Sequence, residues 1–233
     1  MELFDKLNEI VFCEPECVIA LTGGGGKTTT LIALGQYYRS KGLSVLLSTT
    51  TKMQSPLYHD FKVDHVFTDE SDFFMHDVKK GESVLYIQEH IMNRKKCISP
   101  RDEVLPIMSK RFDVSIFEAD GARTLPLKKH RECDPVIPAN VTSIIALAGM
   151  SSLHKSAADY CMGEAFDFVV DNQYLQDLID NEEGLLKGVT DKHKAAIFLN
   201  QSDLLSKEDR AILKGLKAPC LIVLGSTLNN EVY

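Results

Sequence analysis

The stretch 17-CVIALTGGGGKTTTLIALGQYY-38 decides how the rest of the chain is read. An apolar run, 17-CVIAL-21, passes through four glycines into Lys-Thr-Thr-Thr and then into an amphipathic segment. An apolar run without alternation suits a strand buried on both faces of a parallel sheet. Leu31, Leu34 and Tyr38 recur at helical spacing and Gly42 stands just beyond, so residues 27–40 are expected to form a helix. With the next apolar run, 43-LSVLLS-48, this makes a strand–helix–strand unit of crossover length. Glycines between the first strand and the helix allow positive φ, turn N–H groups inward and let phosphate oxygens approach. The positive end of the helix points at the same place. In this reading Gly23, Gly24, Gly25, Gly26 and Thr29 cradle the phosphates of a nucleotide. Lys27 reaches the β- and γ-phosphates, and Thr28 presents its hydroxyl to Mg²⁺. The bland alternative is a flexible turn with a solvated lysine, against which stands the entropic cost of ordering four glycines.

Composition sets the outer limits. The 233 residues allow one full core, and 44 % hydrophobic with 25 % charged residues is ordinary for a globular chain. A net charge of −7 argues against general nucleic-acid or anionic-membrane binding, which need a cationic surface. The longest apolar stretches, such as 144-IIALAGM-150, are far short of a membrane span. The acidic N-terminus does not resemble a signal peptide, so a cytoplasmic location is expected. Cys13 and Cys17 form a C-x-x-x-C pair, read as small buried residues with a metal or redox pair as the alternative.

Further apolar runs at 84–87, 114–117, 143–148, 196–199 and 221–224 alternate with helical segments near 100–111, 172–181 and 206–216. Residues 2–10 add a short helix carrying Leu3, Leu7 and Ile10, and Ser206 with Asp209 comes close to a capping box. No helix is expected in 228-LNNEVY-233. Strands alternating with helices predict one α/β domain over 1–233, three-layered, with a mostly parallel sheet. Ligands in such sheets bind beyond the carboxyl ends of the strands.

Two acids lie at such an end. In 113-DVSIFEADGA-122, Glu118 and Asp120 are two apart in an extended chain and face the same way. Asp120 is the first candidate to hold Mg²⁺ or its water and Glu118 the second, with a solvated pair as the alternative. After the second strand, Thr50, Thr51 and Lys52 of 48-STTTKM-53 are candidates to meet the metal or the γ-phosphate, unless the threonines simply cap their own loop. The strand 196-AIFL-199 ends in Asn200-x-x-Asp203, where GTP-binding proteins carry Asn-Lys-x-Asp. The aspartate would read the guanine N1/N2 edge, which adenine lacks. Ser226, after the last strand, is a candidate base contact. Gln201 replaces the lysine, so GTP is favoured only slightly over ATP, and a helix-capping turn remains open.

The usual phosphate-loop spelling G-x-x-x-x-G-K-[ST] requires a glycine where this chain has Leu21. Read instead as T-G-x-x-G-K-T-T-T, the loop resembles the shortened one of the Mur ligases. The strings 22-TGGGGKTTT-30, 48-STTTKM-53, 118-EADGARTLPLKKH-130 and 134-DPVIP-138, with Gly149 and His154-Lys155, together resemble the YqeC family. Asp134 stands where that pattern has glutamate. The resemblance implies phosphate-loop NTPase architecture and an accessory role in maturing a selenium-dependent molybdenum hydroxylase or its cofactor.

The loop after the acids carries Arg123, Lys128, Lys129 and His130. Its cations are candidates to stabilise charge on a transferring phosphoryl group or to hold an anionic, molybdopterin-type cofactor, a solvated basic turn being the alternative. The leading expectation is a Mg²⁺-dependent GTP- or ATP-binding NTPase serving a client molybdenum hydroxylase. A small-molecule kinase or ATP-dependent ligase with an anionic acceptor is the second reading, and a nucleotide-binding regulator without turnover the third.

Overall fold

A computed structural model describes residues 2–91, 93 and 95–233. In chain order the first half runs α1 (Leu3–Val11), β1 (Cys17–Gly23), α2 (Lys27–Ser40), β2 (Val45–Thr49), β3 (Met53–Gln54), β4 (His65–Phe67), α3 (Glu70–Met75), β5 (Ser83–Tyr86), β6 (Glu89–Ile91), β7 (Lys96–Ile98) and α4 (Leu105–Ser109). The second half runs β8 (Val114–Glu118), β9 (Leu127–Lys128), β10 (Ser143–Gly149), α5 (Ala157–Tyr160), β11 (Cys161–Met162), α6 (Asn172–Asp180), β12 (Lys194–Asn200), α7 (Lys207–Leu213), β13 (Leu221–Ser226) and β14 (Glu231–Val232).

Nine strands form the central sheet in the order β14-β13-β12-β10-β1-β8-β2-β5-β4. Every pairing in it is parallel except that of the edge strand β14 with β13. The pleat sends alternate residues to opposite faces. Ile19, Leu21, Leu47, Ile116, Ile145 and Phe198 pack under α1 and α2, burying Leu3, Leu7, Leu31, Leu34 and Tyr38. Val18, Ala20, Leu46 and Phe117 face the other way, against Phe73 of α3 and Leu105 and Met108 of α4. Ala146, Ala148, Ile197 and Leu199 continue that face under α6 and α7. The result is the expected three-layer α/β architecture of the P-loop NTPase kind, with apolar strands because both faces are covered.

The structure departs from expectation in three places. The helix expected near 100–111 spans only Leu105–Ser109. Residues 231–232, for which no element was expected, form a short antiparallel strand. Two small sheets, β3-β7-β6 and β9-β11, were not foreseen. The edge strand and the two small sheets depend on pairing between segments too short to carry a readable period. Ser206 caps α7 as expected, its hydroxyl accepting from the Asp209 N–H at 3.0 Å. No described helix is long and apolar enough to cross a membrane.

Candidate functional site

Strand register brings distant sequence segments to one level. Glu118 stands opposite Leu21 of β1 on one side and Thr49 of β2 on the other. Gly23 pairs with Leu147, and Gly149 with Asn200. The carboxyl ends of β1, β2, β8, β10 and β12 therefore lie side by side, with the glycine loop over the middle of them.

The loop is fastened from all sides. Gly24 N–H donates to the Leu147 carbonyl at 2.9 Å and Gly25 N–H to Leu125 at 3.1 Å. The Asn200 side chain donates to the Gly25 carbonyl at 2.8 Å and accepts from the Thr227 N–H at 3.0 Å. Gly25 sits at φ +78°, and a Cβ there would come 2.3 Å from Gly149 Cα. Gly23, at φ +85°, would press a Cβ to 2.1 Å from the Leu147 carbonyl oxygen. Both clashes are with backbone, so glycine is required by conformation and by space. At the start of α2 no side chain caps the helix. Among the described residues the N–H groups of Gly26, Lys27, Thr28 and Thr29 meet no protein acceptor. Such a fringe of free N–H groups at a helix N-terminus attracts negative charge.

Beneath the loop lies a buried charge cluster. Asp120, fully inaccessible, accepts on Oδ2 from the Gly23 N–H at 2.9 Å and from His130 Nε2 at 2.8 Å. Lys128 Nζ is 3.3 Å from the same oxygen. Lys27 Nζ is 2.9 Å from Oδ1, an ion contact lying off hydrogen-bond geometry, and also donates to the Gly23 carbonyl. Burial alone would raise the Asp120 carboxyl, but Lys27, the His130 hydrogen bond and Lys128 outweigh it and hold it far below the ordinary carboxylate range. His130 Nδ1 faces the Gly184 carbonyl at 2.8 Å, so both ring nitrogens meet acceptors. Lys128 is also inaccessible, 3.0 Å from Asp134 and donating to the Gly121 carbonyl at 2.8 Å.

Glu118 differs from its neighbour. Thr28 Oγ1 donates to its Oε2 at 2.7 Å, and the carboxylate lines an open cleft of about 310 Å³. Burial pushes its carboxyl up, with Asp120 adding to the rise while Lys27 and Thr28 oppose it. The cleft is bordered by Gly25, Gly26, Lys27, Thr28 and Thr29 on one side. Lys52, Gln54, Lys96 and Arg123 border it too. Arg123 and Thr124 both take left-handed φ, +50° and +67°, a costly conformation for a β-branched threonine.

The expected site residues thus separate into groups. Gly25, Gly26, Lys27, Thr28, Thr29, Lys52, Glu118 and Arg123 share the cleft, whereas Gly23, Gly24 and Asp120 support its floor. Lys128 does not reach the cleft, because two aspartates hold it in the interior. Thr50 donates to the Val136 carbonyl at 2.6 Å and Thr51 packs beside Thr49, so neither lines it. Asn200 braces the loop, Asp203 and Ser226 lie off the cleft, and Gln201 enters it, accepting from Ser151 Oγ at 2.8 Å. His154 is exposed and lies 2.9 Å from Asp209. Lys96, Gln54 and Ser151 were missed. Lys96 and Gln54 face each other across β7 and β3, a pairing that left no sequence signal.

The oxygen donors of Thr28 and Glu118 suit a hard divalent cation such as Mg²⁺. Asp120 does not suit one as a direct ligand, since cations and an N–H group already surround its oxygens.

Comparison with known proteins places the chain. An Escherichia coli (strain K12) protein named "Uncharacterized protein YqeC" is 32 % identical over 138 residues, 58 % of this chain and 53 % of that one. The chain thus spans about half the length of the curated relative it matches. The family model described as YqeC protein matches residues 19–164, which take in the glycine loop, both acids and the loop through His130. On that span of matching sequence, this chain belongs to the YqeC family.

Proposed function

We propose that the protein binds a Mg²⁺–nucleoside triphosphate in this cleft and hydrolyses it, as an accessory factor in maturing a molybdenum hydroxylase or its cofactor. The observation that carries the nucleotide reading is the Thr28–Glu118 hydrogen bond at 2.7 Å directly beneath a fringe of free N–H groups. A threonine at the second position of the helix and a carboxylate at a neighbouring strand end is the donor pair that Mg²⁺ requires beside a triphosphate. Bound there, Mg²⁺ would neutralise charge developing on the phosphoryl oxygens.

The chain's own groups have separable tasks. The N–H groups of Gly26 to Thr29 bind phosphate oxygens. Lys27 exchanges its contact with the Gly23 carbonyl for phosphate oxygens while Asp120 keeps its ammonium oriented. Arg123, exposed on the strained loop, supplies a cation to the transferring group. Asn200 serves the loop rather than a base, so a guanine preference would rest on Asp203. The client role follows from family resemblance alone. Lys52, Lys96 and Arg123 in one cleft also favour a second reading, a kinase or ligase with an anionic acceptor.

Calorimetric titration with non-hydrolysable GTP and ATP analogues plus Mg²⁺, on wild type and Lys27→Ala, tests the proposal. We expect Mg²⁺-dependent binding that Lys27→Ala abolishes. Absence of binding to either analogue refutes it. Stimulation of turnover by a small anionic metabolite alone would replace the accessory role with the kinase or ligase reading.

A further inference from the structure

At the opposite end of the sheet from the glycine loop, three metal-ligating side chains converge at an edge. His65 opens the outermost strand β4, His76 follows α3, and Glu82 immediately precedes β5. His65 Nε2 is 2.8 Å from Glu82 Oε1, and His76 Nε2 is 3.1 Å from Oε2. All three ligand atoms lie within 4.8 Å of one another. We infer that His65, His76 and Glu82 form a binding site for a zinc-like divalent cation that clips the connection between β4 and β5 to the edge of the sheet.

The arrangement suits a metal better than it suits three independent side chains. The two imidazole rings stand 4.7 Å apart and turn the same nitrogen, Nε2, toward one carboxylate. One divalent ion accepts a lone pair from each neutral imidazole and from the carboxylate that both rings face. A tetrahedral ion about 2.0–2.1 Å from each ligand needs ligand atoms roughly 3.4 Å apart, within reach of small side-chain rotations here. Two imidazoles and one carboxylate match the donor set of zinc rather than of Mg²⁺ or Ca²⁺, which take oxygen.

The supports are in place as well. Glu82 is nearly inaccessible and fixed by the Lys79 N–H, which donates to Oε2 at 2.8 Å. Phe67 packs on the His76 ring with centroids 5.2 Å apart. Arg111 grips the His76 carbonyl from α4's side of the molecule. His65 is 46 % exposed, which leaves the fourth coordination position to water. An ion here would join residues 65, 76 and 82 into closed loops and restrain an edge strand of only three residues, so its binding energy adds to folding stability.

The test uses the full chain freed of metal and titrated with Zn²⁺ against a chromophoric chelator, in wild type, Cys133→Ser, His65→Ala and His76→Ala. We expect one Zn²⁺ per chain in wild type and in Cys133→Ser, the exposed thiol control. Affinity should fall roughly 10- to 100-fold in each histidine variant. Zn²⁺, but not Mg²⁺, should raise the wild-type melting temperature and leave His65→Ala unmoved. His65 is half exposed, so that variant keeps its fold and separates lost ligation from lost structure. Unchanged zinc affinity in His65→Ala overturns the inference, as does wild type that fails to compete with the chelator.

Discussion

Replacing Asp120 by asparagine tests the buried cluster most directly. The side chain keeps its size and one oxygen for the Gly23 N–H, but loses the charge opposite Lys27, Lys128 and His130. Removing one partner of a buried ion pair costs about 3–5 kcal/mol, because the remaining charges stay desolvated. In a chain of this size each kcal/mol lowers the melting temperature by roughly 2–4 °C, so the loss should be roughly 6–20 °C. Lys128→Met, which removes one cation from between Asp120 and Asp134, should cost less when combined with Asp120→Asn than the two costs added together. The chain has no tryptophan, so thermal and urea unfolding are followed by far-ultraviolet circular dichroism. The pH profile supplies a second readout. The Asp120 carboxyl is depressed below its ordinary 3.8 in the folded state, so the unfolded chain binds the extra proton first. Its contribution is complete above about pH 4–5 and is lost as pH falls through the folded value. Wild type should therefore lose stability below pH 4 more steeply than Asp120→Asn. A melting shift under about 2 °C, together with superimposable acid profiles, would show that the cluster does not hold the loop.

Three further substitutions separate the parts of the site. Gly25→Ala forces a Cβ against Gly149 at positive φ, and should cost at least about 1–3 kcal/mol and abolish nucleotide binding by calorimetry; a folded variant with normal affinity contradicts the loop geometry. Thr28→Val removes the hydroxyl that Glu118 accepts, and should weaken Mg²⁺-dependent nucleotide binding roughly tenfold, about 1.4 kcal/mol, while binding without Mg²⁺ stays put. Asn200→Ala orphans the Gly25 carbonyl and the Thr227 N–H, so unfolding should show a loss of about 2 kcal/mol or more. The same variant should lower GTP- and ATP-analogue affinity by equal factors, because the side chain braces the loop; a selective loss for guanine would restore it to base recognition.

Much of the architecture was written locally. The run 17–21, the helix 27–40 and the strands near 45, 114, 143, 196 and 221 were legible because burial on both sheet faces leaves continuous apolar strings, and because α2 keeps its apolar stripe at helical spacing. The glycines, Lys27, Thr28 and Glu118 were legible because their residue types have few other uses in that order. Lys128 was not. Its sequence neighbours, Lys129 and His130, suggest an exposed basic turn, and only the packing of Asp120 and Asp134 around it turns that lysine inward. Asn200 looked like a base reader, yet the register of β12 against β10 sets it beside the glycine loop, where a carbonyl and an N–H needed a partner. Lys96 reached the cleft through a three-residue strand with no periodicity of its own, and His65, His76 and Glu82 came together only because β4 and β5 pair. The sequence by itself determined which segments become strands and helices, because burial acts on each segment locally. Only the tertiary structure decided which charges face the cleft and which neutralise one another inside, because those energies depend on distances between residues far apart in the chain.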